Sequence, residues 1–197
     1  MLSYEESLKI LKETNALLEG HFILSSGLHS SEYIQCAKLL SYPKKAQIIC
    51  ESLCEKIKDN FNDINIILSP AIGGIVVGYE VGRQLGIQTI FAERVESKLQ
   101  LRRGFNIPKN SNVLIVEDVI TTGKSAIECS NLVKSNGSNV LGYSCIIDRT
   151  DKKVLIKDKI ISQIKFKIAT FKSDELPDKL KKIAAIKPGS RNLSKWK

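Results

Sequence analysis

Val113-Leu114-Ile115-Val116-Glu117-Asp118-Val119-Ile120-Thr121-Thr122-Gly123-Lys124-Ser125 is the stretch whose reading decides the architecture. Val113–Val116 is an apolar, β-branched run, as in strands covered on both faces. Two adjacent carboxylates follow, then a polar loop leading into a helix predicted from about Lys124 to Ser135. Unpaired amides at a helix start, the helix dipole and the hydroxyls of Thr121, Thr122 and Ser125 together suit a phosphate monoester. Gly123 lets the backbone approach phosphate oxygens closely. Glu117 and Asp118 would repel a phosphate, so their partners are hydroxyls or Mg²⁺-bound water; a ribose 5-phosphate offers both a phosphate and a diol. A nucleotide P-loop also ends in Gly-Lys-Ser, but it needs a Gly at position 118, where this chain has Asp. A capped strand–turn–helix accounts for the Thr and Gly but not for an acidic pair at the end of a buried strand.

The same alternation extends outward. Ile64–Leu68 predicts a buried strand, followed by Ser69-Pro70-Ala71-Ile72-Gly73-Gly74 and a helix to about Leu85. Thr89–Phe91 and Asn139–Ile147 predict further strands, and Pro43 opens a helix running to about Asn60. Strands alternating with helices imply a mainly parallel sheet with helices on both faces. Ligands then sit beyond the carboxyl ends of the strands, in the loops after Leu68, Val116 and Ile147. Ahead of this core, Ser3-x-x-Glu6 is a capping box. Leu8, Ile10, Leu11, Leu17 and Leu18 predict a helix ended by Gly20. His21–Gln35, with Ser25, Ser26 and Gly27, reads as an irregular or β-like lid.

The 197 residues suffice for one domain with a buried core, and 43% apolar with 26% charged residues is globular composition. No run approaches the ~20 apolar residues of a membrane helix, and the first 20 residues lack a signal-peptide layout. Five Cys (36, 50, 54, 129, 145) without a Cys-x-x-Cys pair favour neither a disulfide framework nor a zinc knuckle. Cys50 and Cys54, four apart, read as small core residues on one helix face. A reduced, cytoplasmic protein is expected. Residues 151–197 hold 14 Lys and Arg against 5 Asp and Glu, and so carry the whole net charge of +9. Lys165 and Lys167 alternate with Ile164, Phe166 and Ile168 as on a half-buried strand, and no aromatic platform accompanies the lysines. A solvated face is therefore favoured over a nucleic-acid surface.

Val113–Ser125 resembles the phosphoribosyl-diphosphate loop of the type I phosphoribosyltransferases. The ensemble resembles the orotate branch of that family: Gly20–Ser30, Pro70–Gly74, Phe91–Arg94, Leu101–Phe105, Asp148-Arg149 and Pro188-Gly189-Ser190-Arg191, in order along nearly the whole chain. The resemblance implies an α/β type I fold: a parallel core sheet flanked by helices (43–150), a small N-terminal lid or hood (1–42) and a basic C-terminal strand and helix (151–197), in one domain. It implies transfer of a ribosyl 5-phosphate from its 1-diphosphate to orotate, in pyrimidine biosynthesis, in a homodimer, with Mg²⁺ brought by the substrate rather than held by protein ligands. Phosphoribosyl transfer to a purine, or an RNA-binding sensor of phosphoribosyl diphosphate on the same fold, are the alternatives.

By resemblance, Glu117, Asp118, Val119, Ile120, Thr121, Thr122, Gly123, Lys124 and Ser125 bind the ribose 5-phosphate, and Ile72 and Gly73 meet the diphosphate. Glu93–Gly104 would be a mobile catalytic loop whose Arg94 and Lys98, with Asp118, are catalytic. Thr121 and Arg149 would contact orotate, a guanidinium fork being suited to a carboxylate. The alternative for Arg149 is a surface ion pair with Asp148. Many relatives have a Lys where Gly73 stands, and some have a Lys at Ser25 and an Arg at Leu28. His21 and His29, in short polar turns, read as structural or solvated, and Pro177–Leu180 replaces a Cys-x-x-Cys of some relatives, so no metal site is expected there.

Overall fold

The computed structural model describes residues 1–24, 26–151 and 154–188; Ser25 and the Gly189-Ser190-Arg191 motif lie outside them. The capping box forms at both hydrogen bonds, and helix α1 (Tyr4–Glu13) ends sooner than its leucine spacing predicts. Asn15 takes a left-handed φ of 53° and breaks the helix, so Leu17 and Leu18 enter a strand instead. That strand, β1 (Leu17–Ile23), pairs antiparallel with β2 (His29–Ile34). The lid is thus a β-hairpin.

Helix α2 (Cys36–Leu40) is one short turn, and α3 (Pro43–Lys58) starts on its proline as expected. Strand β3 (Ile66–Pro70) is buried at every position and leads into α4 (Gly73–Leu85). Strand β4 (Gln88–Val95) turns back into β5 (Lys98–Leu101), an antiparallel hairpin where a loose loop was expected. Its anchors are apolar. Leu99 and Ile107 are buried in the core, and Phe105 packs edge-on against Phe91 at 5.0 Å.

Strand β6 (Asn112–Ile120) runs four residues beyond Val116, so Glu117 and Asp118 lie on the strand and the loop shrinks to Thr121–Gly123. Pairing with the next strand through Glu117↔Cys145 and Ile120↔Asp148 holds this extension. Helix α5 (Lys124–Ser135) and strand β7 (Asn139–Asp148) follow, then β8 (Ile160–Lys165), β9 (Thr170–Phe171) and the single turn α6 (Asp178–Lys181). Phe166 is buried, while Lys165 and Lys167 are exposed, as the alternation predicts.

The main sheet has the order β5-β4-β3-β6-β7-β8, parallel except for β5. One apolar core on each face covers it. The first packs α1, α3 and α4 on one side, and the second packs α5 with Leu99, Ile107 and Ile156 on the other. A second sheet, β1-β2-β9, forms the hood. The chain returns from its C-terminal part to complete it: β9 pairs with β2, and Ile186 bonds backbone to backbone with His21 and Ile23. The hood therefore draws on both ends of the chain.

Candidate active site

Three strand ends meet at one edge of the sheet. The turn after β3 brings Pro70–Gly74 against the end of β6, where an ideal Cβ on Gly73 would stand 2.7 Å from Asp118 Oδ2. A side chain at 73 would require the Asp118 carboxylate to shift from its present position. The Ala71–Ile72 peptide is cis, and Ile72 is 85% exposed. Helix α4 has no side-chain cap, so its first amides have no acceptor within the helix.

The loop after β6 offers a second set of such amides. Gly123 is the N-cap of α5, with φ 77° and no side-chain cap. Its glycine is required twice over, by the left-handed backbone and because a Cβ would meet Ile156 at 2.7 Å. Leu155 N–H donates to the Thr122 carbonyl at 2.9 Å, so the 154–156 segment braces the loop from behind. Thr121 and Thr122 are exposed and Ser125 half-buried. Gly123, expected as a contact to phosphate, is buried, and its φ and the nearness of Ile156 give a structural reason for glycine as well.

Glu117 is buried and Asp118 half-buried. Asp118 Oδ1 accepts from the Val119 N–H at 2.9 Å. Burial, and secondarily the Asp118 charge, push Glu117 up to about 8; burial also raises Asp118, against the backbone hydrogen bonds that lower it. Two carboxylates this close call for cationic or hydroxyl partners. Among the described residues, no group of three or more His, Cys, Asp or Glu could hold a metal ion.

Arg149 directly follows β7, its N–H donating to the Ile120 carbonyl at 2.8 Å. Its Nε is buried without a hydrogen-bond partner. Burial disfavours its charge, while Tyr33 and Cys36 nearby act in the opposite sense. Asp148 does not pair with it. Asp148 Oδ2 lies 3.2 Å from Lys165 Nζ, and its Oδ1 accepts from Thr150 N–H at 2.7 Å. The surface pair considered as the alternative for Arg149 is absent. Sequence reasoning missed Tyr33 and Cys36, which the hood brings to this edge. The Cys36 thiol points at the Asp118 carbonyl, 3.8 Å away. Neither residue stands in a motif, and only the folded hairpin shows their position.

Arg94 and Lys98 are not with this group. The β4–β5 hairpin lies against α5, where Arg94 donates to Glu128 at 2.8 Å and to the Ser97 carbonyl at 2.6 Å. Lys98 lines a groove with Lys124 and Glu128. Arg103 pairs with Glu93 and lies over Phe91. His21 is buried and structural: its ring bridges His29 at 2.7 Å and the Ile183 carbonyl at 2.8 Å, tying hood to C-terminal segment.

A doubly covered parallel sheet with two uncapped helix starts, an acidic pair and a half-buried guanidinium at one edge defines a phosphoribosyltransferase architecture. Residues 39–176 match the phosphoribosyl transferase domain. The chain is 44% identical over 191 residues to the orotate phosphoribosyltransferase of Chlorobaculum parvum, covering 97% of this chain and 98% of that one. By that similarity it belongs to the orotate phosphoribosyltransferase family. The crystal structure of the Aeropyrum pernix orotate phosphoribosyltransferase superposes with a TM-score of 0.71 at 25% identity, covering 80% of this chain and 92% of that one. An adenine phosphoribosyltransferase from Thermoanaerobacter pseudethanolicus shares the fold at TM-score 0.59 and 20% identity, over 68% and 88%. Fold alone therefore does not choose the base.

Proposed function

We propose that this chain transfers the ribosyl 5-phosphate of 5-phosphoribosyl 1-diphosphate to orotate, releasing diphosphate and forming orotidine 5′-monophosphate in pyrimidine biosynthesis. The observation that carries the choice of base is Arg149, a half-buried side chain whose Nε is buried and unpartnered, at the strand end where a planar anion would lie. A forked guanidinium suits a carboxylate and has no counterpart on a purine.

The roles follow from placement. The free amides at the start of α5, with Thr121, Thr122, Lys124 and Ser125, take the 5-phosphate. The Ile72–Gly74 turn takes the diphosphate, and the carboxylates of Glu117 and Asp118 take the ribose diol. Burial raises both carboxylates, so bringing positive charge or hydroxyl donors to them is favourable. They fit a hydrated Mg²⁺ arriving with the diphosphate, hard oxygen ligands and retained water being what that ion prefers. When bound, the ion neutralises charge on the departing diphosphate. Thr121 and Arg149 orient orotate so that its ring nitrogen faces C1 as the C1–oxygen bond to diphosphate breaks.

Arg94 and Lys98 serve as the cationic arm for diphosphate. For Arg94 this requires exchanging Glu128 for the ligand. A second copy of the chain is the partner we assign to α4, where Ile72, Val76 and Tyr79 are exposed at helical spacing on one face. The five buried, unpaired thiols suit a reducing compartment, the cytoplasm. No described helix is long and apolar enough to cross a membrane.

The test is an assay of purified protein with phosphoribosyl diphosphate, Mg²⁺ and orotate, uracil, adenine or guanine in turn, following diphosphate release. Turnover with orotate and not with purines is expected. Turnover with a purine alone would overturn the reading.

A further inference from the structure

We propose that Lys165 is a positioning and specificity residue: by claiming the Asp148 carboxylate it leaves the neighbouring Arg149 uncompensated and free for the anionic base. This rests on the assignment of Arg149 to the orotate carboxylate.

Asp148 is 5% exposed and directly precedes Arg149, so a buried carboxylate stands one residue from a half-buried guanidinium whose Nε is out of contact with solvent. Left alone, such a carboxylate neutralises the guanidinium, by turning towards it or through its field in a poorly screened environment. Either effect weakens the attraction of Arg149 for an incoming anion.

The fold removes this competitor. Strand β8 lies parallel to β7 with Lys165 in register with Asp148. Lys165 Nζ sits 3.2 Å from Asp148 Oδ2, while Oδ1 is taken by the Thr150 N–H at 2.7 Å. Both oxygens are thereby occupied by partners other than Arg149. Phe166 N–H donates to the Asp148 carbonyl at 2.8 Å and fixes the register. Among the described residues, no carboxylate lies within ion-pair distance of the Arg149 guanidinium, and its Nε has no partner.

Stability alone does not account for Lys165. Its side chain is 59% exposed and that of its partner 7%, so removing the lysine also leaves a buried carboxylate without its cation, which lowers stability. Its value lies in what Asp148 is prevented from doing. The basic C-terminal part of the chain thereby acquires a site function that does not involve nucleic acid.

The test uses Lys165→Met, Lys165→Arg, Asp148→Asn and the double variant Lys165→Met/Asp148→Asn in the purified enzyme, with KM for orotate and for phosphoribosyl diphosphate measured separately. Lys165→Met is expected to raise the orotate KM about 5- to 10-fold, part of a charged hydrogen bond. The phosphoribosyl diphosphate KM should stay near wild type, Lys165→Arg should restore orotate binding, and any fall in melting temperature from the unpaired Asp148 carboxylate should be relieved in the double variant. The double variant should recover most of the loss, because an amide at 148 keeps the Thr150 hydrogen bond and carries no charge. Recovery is the decisive result, since a lysine attracting orotate directly would not be rescued by removing Asp148. An unchanged orotate KM in Lys165→Met, or a double variant as impaired as the single one, overturns the proposal. Arg149→Ala separates the two claims. If it leaves orotate kinetics untouched, the assignment of Arg149 falls as well; if it raises the orotate KM while Lys165→Met does not, only the role of Lys165 falls.

Discussion

Arg149 is the residue on which substrate choice turns. A charged hydrogen bond in a partly dry site contributes roughly 1.5–3 kcal/mol, so Arg149→Ala should raise the orotate KM about 10- to 150-fold with little change for phosphoribosyl diphosphate. Arg149→Lys should recover part of this, keeping charge but losing the fork. Steady-state kinetics against both substrates decides it; equal impairment of both would remove Arg149 from the orotate site. Glu117 makes a prediction about pH. With its carboxyl raised to about 8 by burial and by Asp118, the folded chain holds more protons than the unfolded chain between the ordinary carboxylate range and that value. Stability of the ligand-free protein must therefore fall as pH rises across this window. Glu117→Gln should flatten that slope and melt higher than wild type at pH 8, by several °C on the order of 2–4 °C per kcal/mol. A scan of melting temperature from pH 5 to 8.5 checks it; an unchanged slope would show that Glu117 ionises normally. These two carboxylates were legible as an acidic pair beside a phosphate loop. Their position on a strand was not, because the hydrogen bonds extending β6 come from β7, more than twenty residues later.

Among the elements, the β4–β5 hairpin departs most from expectation. Its charges suggested a loose loop, and the few apolar residues that anchor it, Leu99 and Ile107, are separated in sequence from the core they join. Truncating a buried leucine costs about 2–5 kcal/mol, so Leu99→Ala should lower the melting temperature by roughly 5–15 °C. Loss of the cationic arm should accompany it, seen as a raised phosphoribosyl diphosphate KM. A melting temperature within a degree or so of wild type would mean that Leu99 is not a real anchor. The hairpin also provides a test of action between copies. Activity recovered on mixing inactive Lys98→Ala chains with inactive Asp118→Asn chains would show that the hairpin of one copy serves the site of another. No recovery in verified mixed dimers would place its action within one chain. The first helix shows the converse error. The leucines at 17 and 18 continue a helical spacing, yet Asn15 in a left-handed conformation ends α1 and hands them to β1. Periodicity counts apolar positions; it does not register a single backbone reversal.

For the whole molecule, the exposed stripe of Ile72, Val76 and Tyr79 predicts self-association beside the diphosphate turn. Light scattering after gel filtration should give twice the 21.9 kDa of one chain, and Tyr79→Glu should give the single-chain mass with reduced turnover. A wild-type chain that runs as a monomer and is fully active would exclude this face as an interface. At this scale the division between sequence and structure is plain. Local chemistry was written in the sequence: the apolar strands, the glycine and hydroxyl turns after them, the acidic pair, the capping box, and the Asp148-Arg149 step all declare themselves over a dozen residues or fewer. So did the alternation that makes the sheet parallel, because each strand, turn and helix carries its own periodicity. What only the tertiary structure decided is which charges meet. That Asp148 answers to Lys165 and not to Arg149, that Arg94 rests on Glu128, that Tyr33 and Cys36 come near Arg149, and that both chain ends build the hood depend on strand order and register. Those are properties of long-range pairing, and no local window of the chain contains both partners.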